Sequence, residues 1–203
     1  MSALVYSKMP SSDLISVVIT TYNRSDALAL VLRGLMQQTD RNFEVIVADD
    51  GSTETHRQKI EEMARASGLH VIHVWHPDVG FTASQARNLG VAAASGGYLI
   101  LMDGDCVPEV DFIARHRQLA QPGCFVNGSR VLLNAAFTQR ALAQNLAIAG
   151  RSVGFWLRRR LSGEASKLTG LFRLPDGRRR LQPRFVWKGI RSANMSLWRK
   201  DYE

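Results

Sequence analysis

Two carboxylates flank a glycine at Asp103-Gly104-Asp105, directly after the apolar run from Tyr98 to Met102. The run predicts a buried strand, which places both acids at its carboxyl end, where open α/β sheets bind their ligands. Acids at such an edge cost desolvation free energy unless positive charge meets them. A divalent cation that carries a nucleotide diphosphate fits best, although Asp-Gly-Asp alone is also a common turn sequence.

Two other predicted strands end in polar residues suited to a ligand. The run from Leu14 to Thr20 leads into Thr21-Tyr22-Asn23-Arg24, and the run from Phe43 to Ala48 leads into Asp49-Asp50-Gly51-Ser52. The carboxyl ends of parallel strands lie on one edge, so this convergence indicates a site. The sequence has neither a Gly-x-Gly-x-x-Gly fingerprint nor a Walker sequence. A metal held by carboxylates is therefore the expected way to neutralise phosphates.

The apolar runs alternate with stretches of helical spacing. Strands are predicted at 14–20, 43–48, 69–75, 98–102 and 125–133, and helices near 25–35, 54–67, 82–94 and 108–120. Ser25 is the expected N-cap of the first helix, and Thr82 with Gln85 has the capping-box form. This β-α-β order predicts an α/β fold, with a mostly parallel sheet and helices on both faces.

The pattern is weaker beyond residue 135. Residues 136–149 favour a helix, residues 151–185 resemble a long excursion, and residues 190–198 favour a return strand. Trp187 and Trp198 are expected in the core.

The net charge of +8 belongs to the C-terminal quarter. Residues 151–203 contain 14 Lys and Arg against 4 Asp and Glu, whereas residues 1–150 balance at −2. Arg158-Arg159-Arg160 and Arg178-Arg179-Arg180 could lie on an anionic membrane surface, hold an anionic acceptor glycan, or form a solvated basic face. Nucleic-acid binding is disfavoured because no motif of that class is present.

The composition is that of a globular protein, with 45% hydrophobic and 22% charged residues. Cys106 and Cys124 do not suggest a disulfide framework and are expected to be reduced. The first ten residues lack the apolar core of a signal peptide, and no run of about 18 apolar residues is present. A cytoplasmic location is expected, with peripheral attachment to the inner face of the cell membrane as the open alternative.

Four segments together resemble the family 2 glycosyltransferases, which have the GT-A fold. They are Ser16 to Arg24, Val45 to Ser52, Ala86 to Gly90, and Leu101 to Asp105. The resemblance covers about residues 14–135. It resumes from Trp187 to Ser196, which is similar to the galactosyltransferase-like, chondroitin-synthase-like branch. It implies a nucleotide-sugar-binding core at 1–135 and a basic, acceptor-side region at 136–203 that is incomplete at its C-terminal end.

The resemblance implies a nucleotide site at the end of the first two strands. Asp50 would accept the uracil N3–H, Thr20 and Tyr22 would line the uridine pocket beside Asn23, and Arg87 would face the pyrophosphate. The structural alternatives are an Asx turn made by Asp49 or Asp50, strand-end packing, and a solvated arginine.

The resemblance also implies a metal and a donor sugar. Asp105 would ligate Mn²⁺ or Mg²⁺ directly, and Asp103 would reach the ribose, the donor sugar or a metal-bound water. Asn194 would pass beside the donor sugar, with plain strand packing as its alternative. His56, His70, His73 and His116 lack a metal-binding spacing and are expected to be exposed or satisfied by hydrogen bonds. His76 is assigned no role.

The implied activity is inverting transfer of a sugar from a nucleotide donor, with UDP as the expected carrier. The acceptor would be a glycan or a lipid-linked molecule in surface polysaccharide or lipopolysaccharide synthesis. In this branch the general base lies in a Gly-Trp-Gly-x-Glu-Asp-like stretch, which is expected beyond Glu203, so the catalytic residue is unknown and the chain is expected to be a fragment.

Two other functions stay open. A non-catalytic nucleotide-sugar-binding module needs no base. A sugar nucleotidyltransferase would want a glycine-rich basic loop where Thr21 to Arg24 stands.

Overall fold

The computed structural model describes residues 13–171 and 190–202. Its strands are β1 (Ile15–Thr21), β2 (Phe43–Asp49), β3 (Val71–Trp75), β4 (Tyr98–Asp103), β5 (Val126–Asn127), β6 (Leu132–Leu133), β7 (Ala165–Ser166) and β8 (Asn194–Trp198). Its helices are α1 (Ser25–Met36), α2 (Glu54–Ser67), α3 (Ala83–Ala93), α4 (Phe112–Leu119), α5 (Ala135–Ala143) and α6 (Val153–Leu161). Short 3-10 helices cover Leu168–Leu171 and Arg199–Asp201.

The main sheet has the strand order β3-β2-β1-β4-β8-β5. Strands β1 to β4 are parallel, and β8 runs antiparallel to both β4 and β5. The mostly parallel α/β sheet predicted from the sequence is confirmed, and the return strand near the C-terminus is found as β8. Met102 of β4 pairs with Asn194 of β8, so Asn194 lies beside the carboxyl end of β4.

Helices cover both faces of the sheet, as the sequence predicted. Val17 and Ile19 face a core that contains Leu28 of α1 and Ile60 of α2, and Val18 faces the core on the α3 side. Because its parallel strands are buried on both faces, their sequences read as continuous apolar runs instead of alternating ones.

Helix α3 approaches the sheet closely at Gly90. A Cβ atom at this position would lie 2.8 Å from Val18 Cγ1 and 3.0 Å from Ala48 Cβ, so a larger side chain would push the helix outward. The close approach fixes the helix that carries Arg87, and it brings Arg87 to the carboxyl edge of the sheet, where Nη2 lies 3.9 Å from Asp103 Oδ1.

The predicted N-cap of α1 is wrong by one residue. Arg24 occupies the N-cap position, and Ser25 is the first helical residue. Ser25 Oγ lies 2.8 Å from His56 Nδ1, so the hydroxyl joins α1 to α2 and does not cap the helix. His56 is thereby satisfied, in agreement with the sequence prediction.

Helix α4 begins later than its sequence suggests, at Phe112 and not near Pro108. The buried side chain of Gln38 explains the difference. Its Oε1 accepts the N–H of Ile113, and its Nε2 donates to the carbonyl of Glu109. The amide therefore holds the preceding segment as a loop over the end of α1.

Residues 125–133 do not form one strand, contrary to the prediction. Val126–Asn127 join β8 in the main sheet, whereas Leu132–Leu133 pair with β7. Between them the N–H of Gly128 donates to the carbonyl of Asn194 at 2.8 Å, and a Cβ at Gly128 would overlap the Asn194 side chain. The chain turns away at Gly128 because the Asn194 side chain occupies the space beside it.

Trp198 packs edge-to-face against Tyr98 with ring centroids 5.3 Å apart, which confirms its place in the core; Trp187 lies outside the described residues. The segment after β6 has apolar centres of its own in Phe137 of α5 and Trp156 of α6, and α5 ends at Ala143. The division at residue 135 stays a prediction. Within the described ranges, no helix is both long enough and apolar enough to cross a membrane.

Candidate functional site

The ends of β1, β2 and β4 are joined by backbone hydrogen bonds at one edge of the sheet. The N–H of Asp50 donates to the carbonyl of Thr21 at 2.9 Å, and the N–H of Gly104 donates to the carbonyl of Thr20 at 2.8 Å. Thr20 also stands in register with Asp103. The three polar strand ends singled out in the sequence therefore lie next to one another.

The acidic turn after β4 forms a cluster with potential metal ligands. Asp103, Asp105 and Cys106 each offer one ligand atom, and these atoms lie within 4.8 Å of one another. Arg87 Nη2 and Arg130 Nη1 each lie 3.9 Å from an oxygen of Asp103, which is too far for a hydrogen bond. Burial and then the charge of Asp105 raise the pKa of Asp103, and the two arginines oppose this rise only in part.

This donor set fits a divalent cation that prefers oxygen. Two carboxylates that repel each other gain from a cation between them, and Mn²⁺ and Mg²⁺ favour carboxylate ligands. Cys106 is a poorer candidate ligand. Burial, followed by the two carboxylates, raises the pKa of its thiol to about 12, and Sγ donates to Asp105 Oδ1 at 3.5 Å.

Unpaired polar atoms surround the acidic turn. Within the described part of the chain, Nε of Arg87 and Oγ1 of Thr20 and Thr21 are buried and have no hydrogen-bond partner. Such atoms cost about 1–3 kcal/mol each when nothing satisfies them. A phosphate or ribose oxygen at this edge would supply the missing partner for Arg87.

Asp50 is buried and held by the loop that precedes α3. Thr82 Oγ1 donates to Asp50 Oδ1 at 2.6 Å, and the N–H of Thr82 donates to Oδ2 at 3.1 Å. Nε2 of the buried His76 lies 3.2 Å from Oδ1 but forms no hydrogen bond within the described chain. An ionised carboxylate offers about four acceptor positions, so Asp50 retains capacity for a ligand N–H.

The capping-box prediction at Thr82 is therefore wrong. Thr82 occupies the N-cap position of α3, yet its side chain accepts no helix N–H. The hydroxyl donates to Asp50 across 32 positions of sequence, which no local pattern shows. Neither the contact of Thr82 nor that of His76 with Asp50 was predicted.

Asp49 and Asp50 have different partners. Asp49 is fully buried, and its Oδ1 accepts the N–H of Ser52, three residues further on, at 2.9 Å. Its Oδ2 lies 3.0 Å from His73 Nε2. Burial alone would raise the pKa of Asp49, but the hydrogen bonds from His73 and Ser52 outweigh it and lower the pKa. Asp49 is thus engaged within the fold by His73 and Ser52, whereas Asp50 retains acceptor capacity.

Tyr22 stands at the mouth of this edge with 47% of its surface exposed. Its hydroxyl donates to Asp78 Oδ2 at 2.8 Å. Gly51 has a φ of +95°, and a Cβ there would come within 2.6 Å of Asp78 Cα. Loop 76–82 therefore crosses directly over the turn after β2, where Gly51 alone gives it room, and Tyr22 ties the loop to the end of β1.

Asn23 joins the ends of β1 and β2. It has a left-handed backbone, with φ of 50°, which asparagine tolerates better than most residues. Its N–H donates to Ser52 Oγ at 2.8 Å, and its Oδ1 accepts the N–H of Thr53 at 2.9 Å. The side-chain oxygen is thus engaged at the start of α2, and nucleotide contact by Asn23 stays a prediction.

Asn194 is held beside the acidic turn by a buried polar chain. Its Nδ2 donates to the carbonyl of Ser129, and its Oδ1 lies 3.1 Å from His116 Nε2. His116 Nδ1 is 2.7 Å from Ser196 Oγ, which is 2.8 Å from the Tyr98 hydroxyl. Burial lowers the pKa of His116 to about 4, so the ring is neutral. It therefore donates from Nε2 to Asn194 and accepts at Nδ1 from Ser196.

The sequence prediction that His116 is satisfied is confirmed, and so is that for His73. The contact of Asn194 with a donor sugar stays a prediction.

The comparisons with known proteins agree with this architecture. The sequence profile "Glycosyl transferase family 2" matches residues 16–188. A chondroitin synthase of Escherichia coli is 40% identical over 110 residues, which are 53% of this chain and 16% of that protein. The glycosyltransferase GlyG of Streptococcus pneumoniae is 31% identical over 110 residues, which are 54% of this chain and 36% of that protein.

Among solved structures, a mannosyltransferase from Pyrobaculum calidifontis, in complex with GDP-Man and Mn²⁺, superposes with a TM-score of 0.53. It is 20% identical, and the match covers 68% of this chain and 41% of that one, which supports the GT-A fold alone. The chain spans about a sixth to a third of the length of the two curated relatives. The profile match extends over most of the sequence, and the chain belongs to glycosyl transferase family 2.

Proposed function

We propose that the protein transfers a sugar from a nucleotide diphosphate donor, with UDP as the carrier, to a glycan or lipid-linked acceptor with inversion of configuration. One observation carries the proposal. Asp50, the Asp103-Gly104-Asp105 turn and the buried, unpaired Nε of Arg87 lie together at the carboxyl edge of the sheet. Asp50 matches the nucleobase of the donor, the acidic turn matches a metal ion, and Arg87 matches the diphosphate. The family is one of sugar transferases.

We assign the nucleotide to the edge formed by β1 and β2. Asp50 accepts the N3–H of uracil with the acceptor capacity that Thr82 leaves. Tyr22, half exposed at the mouth, offers its ring for stacking on the base, and Thr20 lines the floor. Arg87 donates to the pyrophosphate. Cytosine presents an acceptor in place of the uracil N3–H, so Asp50 would repel it.

We assign the metal to Asp105 and Asp103, with Mn²⁺ or Mg²⁺ as the ion. When bound, the cation would offset negative charge on the departing diphosphate. Asp103 is the more buried of the two acids and also faces Arg87. We therefore assign it contacts with both the metal and the ribose of the donor. Asn194, fixed beside Met102, is assigned to a hydroxyl of the donor sugar.

The acceptor hydroxyl must lose a proton as it attacks the anomeric carbon. We propose no residue of the described chain as that base. Residues 1–135 are proposed as the donor-binding core, and residues 136–203 as the acceptor side. The resemblance to a chondroitin synthase supports a role in polysaccharide synthesis, which we place in the cytoplasm at the inner face of the cell membrane. Membership of the transferase family argues against the sugar nucleotidyltransferase alternative.

The test is calorimetric titration of UDP and CDP, with and without Mn²⁺, on the parent protein, Asp105→Ala and the control Glu62→Ala. Glu62 is an exposed acid of α2 and lies outside the strand-end segments assigned to the donor. We expect UDP to bind in a Mn²⁺-dependent manner, at least about tenfold more tightly than CDP, because CDP leaves Asp50 facing a second acceptor. Asp105→Ala should remove the Mn²⁺ dependence, and Glu62→Ala should retain it.

Equal affinity for UDP and CDP would contradict the role of Asp50. Retained Mn²⁺ dependence in Asp105→Ala would contradict the metal assignment. A donor hydrolysis and transfer assay completes the test, since UDP binding without turnover would favour the non-catalytic module.

A further inference from the structure

Helix α6 exposes an apolar stripe on the side that faces away from its own core. Trp156 is buried beneath the helix, and Phe155 packs against Phe137 of α5. Val153, Leu157 and Leu161 are 50%, 48% and 89% exposed. Their spacing of four residues places the three side chains in one line along the helix. Helix α6 therefore has two apolar stripes, one buried against its own core and one exposed.

Arginines border this stripe on both sides. At about 100° per residue, Arg160 projects next to Val153 on one flank, and Arg158 projects beyond Leu161 on the other. Both side chains are exposed, and neither forms an ion pair with another residue of the described chain. The polar groups of the outer face are thus cations alone.

The middle arginine of the run has a different, structural partner. Arg159 Nη1 lies 2.6 Å from Glu164 Oε2, and Arg140 Nη2 lies 2.5 Å from Glu164 Oε1. Hydrogen bonds from Arg140 and then Arg159 lower the pKa of Glu164 to about 2. Glu164 therefore pairs with Arg140 and Arg159, whereas Arg158 and Arg160 have no acidic partner in the described chain.

We propose that the outer face of α6 docks on an anionic lipid bilayer. Val153, Leu157 and Leu161 enter the boundary between headgroups and acyl chains, while Arg158 and Arg160 extend to the lipid phosphates. Charge complementarity supports this occupant, because residues 151–203 have a net charge of +10 and the bilayer surface is negatively charged. An acidic glycan would meet the arginines but leave the apolar stripe in water. The proposal concerns attachment and does not depend on the proposed transferase activity.

The test is co-sedimentation of the protein with vesicles of phosphatidylcholine, with and without phosphatidylglycerol. Two double variants separate the two contributions: Leu157→Ser with Leu161→Ser, and Arg158→Gln with Arg160→Gln. Lys59→Gln with Arg65→Gln is the matched control, because it removes the same charge from exposed positions of α2. Thermal unfolding of each variant verifies that it is folded.

We expect the parent to bind only the vesicles that contain phosphatidylglycerol, and more weakly at high salt. Each α6 double variant should lower the partition coefficient about tenfold or more, since apolar insertion and phosphate contact both contribute. The α2 control should change it by less than about twofold, since its charges lie off the docking face.

Three outcomes would overturn the proposal. The first is no binding of the parent to anionic vesicles. The second is binding that the leucine variant retains in full, since the contact would then be purely electrostatic. The third is self-association of the parent that the leucine variant abolishes while vesicle binding is absent, which would make a second copy of the chain the occupant.

Discussion

The main sheet contains buried charge at the amino ends of its parallel strands, here called the amino edge, and at their carboxyl ends, the carboxyl edge. The partners of this charge differ between the two edges. At the amino edge, Glu44 Oε1 accepts hydrogen bonds from Ser16 Oγ at 2.6 Å and from the N–H groups of Ser95 and Gly96 at 2.6 and 3.2 Å. Its Oε2 is buried without a hydrogen-bond partner in the described chain and lies 3.6 Å from Nδ1 of the exposed His70. At the carboxyl edge, Asp103 has no cation closer than 3.9 Å within the described chain.

Arginines differ between the edges in the same way. Arg117 at the amino edge pairs with Asp40 at 2.6 Å and donates to the carbonyls of Asp13 and Asn42. Arg87 at the carboxyl edge has a buried Nε without a partner among the described residues. Buried polar groups that are satisfied stabilise a fold, whereas unsatisfied ones are expected where a ligand completes them. The amino edge therefore has most of its buried polar atoms engaged within the sheet, whereas at the carboxyl edge Asp103 and Arg87 retain capacity for a ligand.

The largest expected effect is on stability, from Arg117→Met at the amino edge. The change leaves Asp40, whose side chain is only 15% exposed, without its cation. Breaking a buried ion pair in this way typically costs about 3–5 kcal/mol, so a value near the lower bound is expected. The midpoint of urea unfolding should fall steeply, while the affinity of the remaining folded protein for UDP stays the same. Arg115→Met on the same helix is the control and should cost far less. Weakened UDP binding by folded Arg117→Met would contradict a purely structural role for the amino edge.

The next effect concerns pH and the buried chain behind Asn194. Burial holds the pKa of His116 at about 4, below the ordinary histidine value of 6.5, so the unfolded chain takes up the proton first as pH falls. The contribution of the neutral His116 ring to the free energy of unfolding is thus fully present above the unfolded-state pKa. It is lost as pH falls from 6.5 towards 4, by on the order of 3 kcal/mol.

Urea unfolding at a series of pH values across this range, on the parent and on His116→Gln, measures the effect. The free energy of unfolding of the variant should depend much less on pH. The lowered pKa values of Asp49 and Glu164 act only near and below their ordinary range, so they contribute little to the upper part of the window. Equal slopes for parent and variant would mean that His116 is not the group that titrates.

At the carboxyl edge, Arg87→Ala should weaken UDP binding about 30- to 100-fold, the loss of a charge-assisted contact to phosphate. Because the Nε of Arg87 has no partner in the described chain, stability should stay the same or rise. Calorimetric titration and urea unfolding together measure both quantities. Arg65→Ala, an exposed position on α2, is the control. A large loss of stability in Arg87→Ala would show that the arginine is structural, like Arg117.

The smallest effect is expected from Thr82→Val, which removes the hydroxyl that orients Asp50. UDP affinity should fall about tenfold, because Asp50 loses one of the donors that fix its carboxylate. Thr82→Ser retains the hydroxyl and should restore most of the affinity. Binding of CDP should change much less than binding of UDP. Equal losses for UDP and CDP would mean that Thr82 shapes the loop and does not act through Asp50.

The order of strands and helices, and the edge at which the polar residues gather, could be read from the sequence alone. The apolar runs before Asp49 and Asp103 are continuous because both faces of β2 and β4 are buried, and parallel strands place their carboxyl ends together. Local spacing is enough for such statements. Predictions from local spacing were wrong where a distant side chain competes with a local partner. His56 does so at Ser25, and Asn194 does so at Gly128.

The tertiary structure alone decided which polar groups are satisfied and which lack a partner within the described chain. Asp49 and Asp50 are adjacent and chemically identical, yet His73 and Ser52 engage one, while Thr82 holds the other and His76 lies against it. Apart from Ser52, these partners lie 24 to 32 positions away in sequence, and packing of α3 and loop 76–82 on the sheet brings them near. The sequence determined that acids meet at this edge, because strand direction follows from the chain pattern. Only the folded chain decided their roles, because a hydrogen bond depends on distance and angle between atoms that no local pattern fixes.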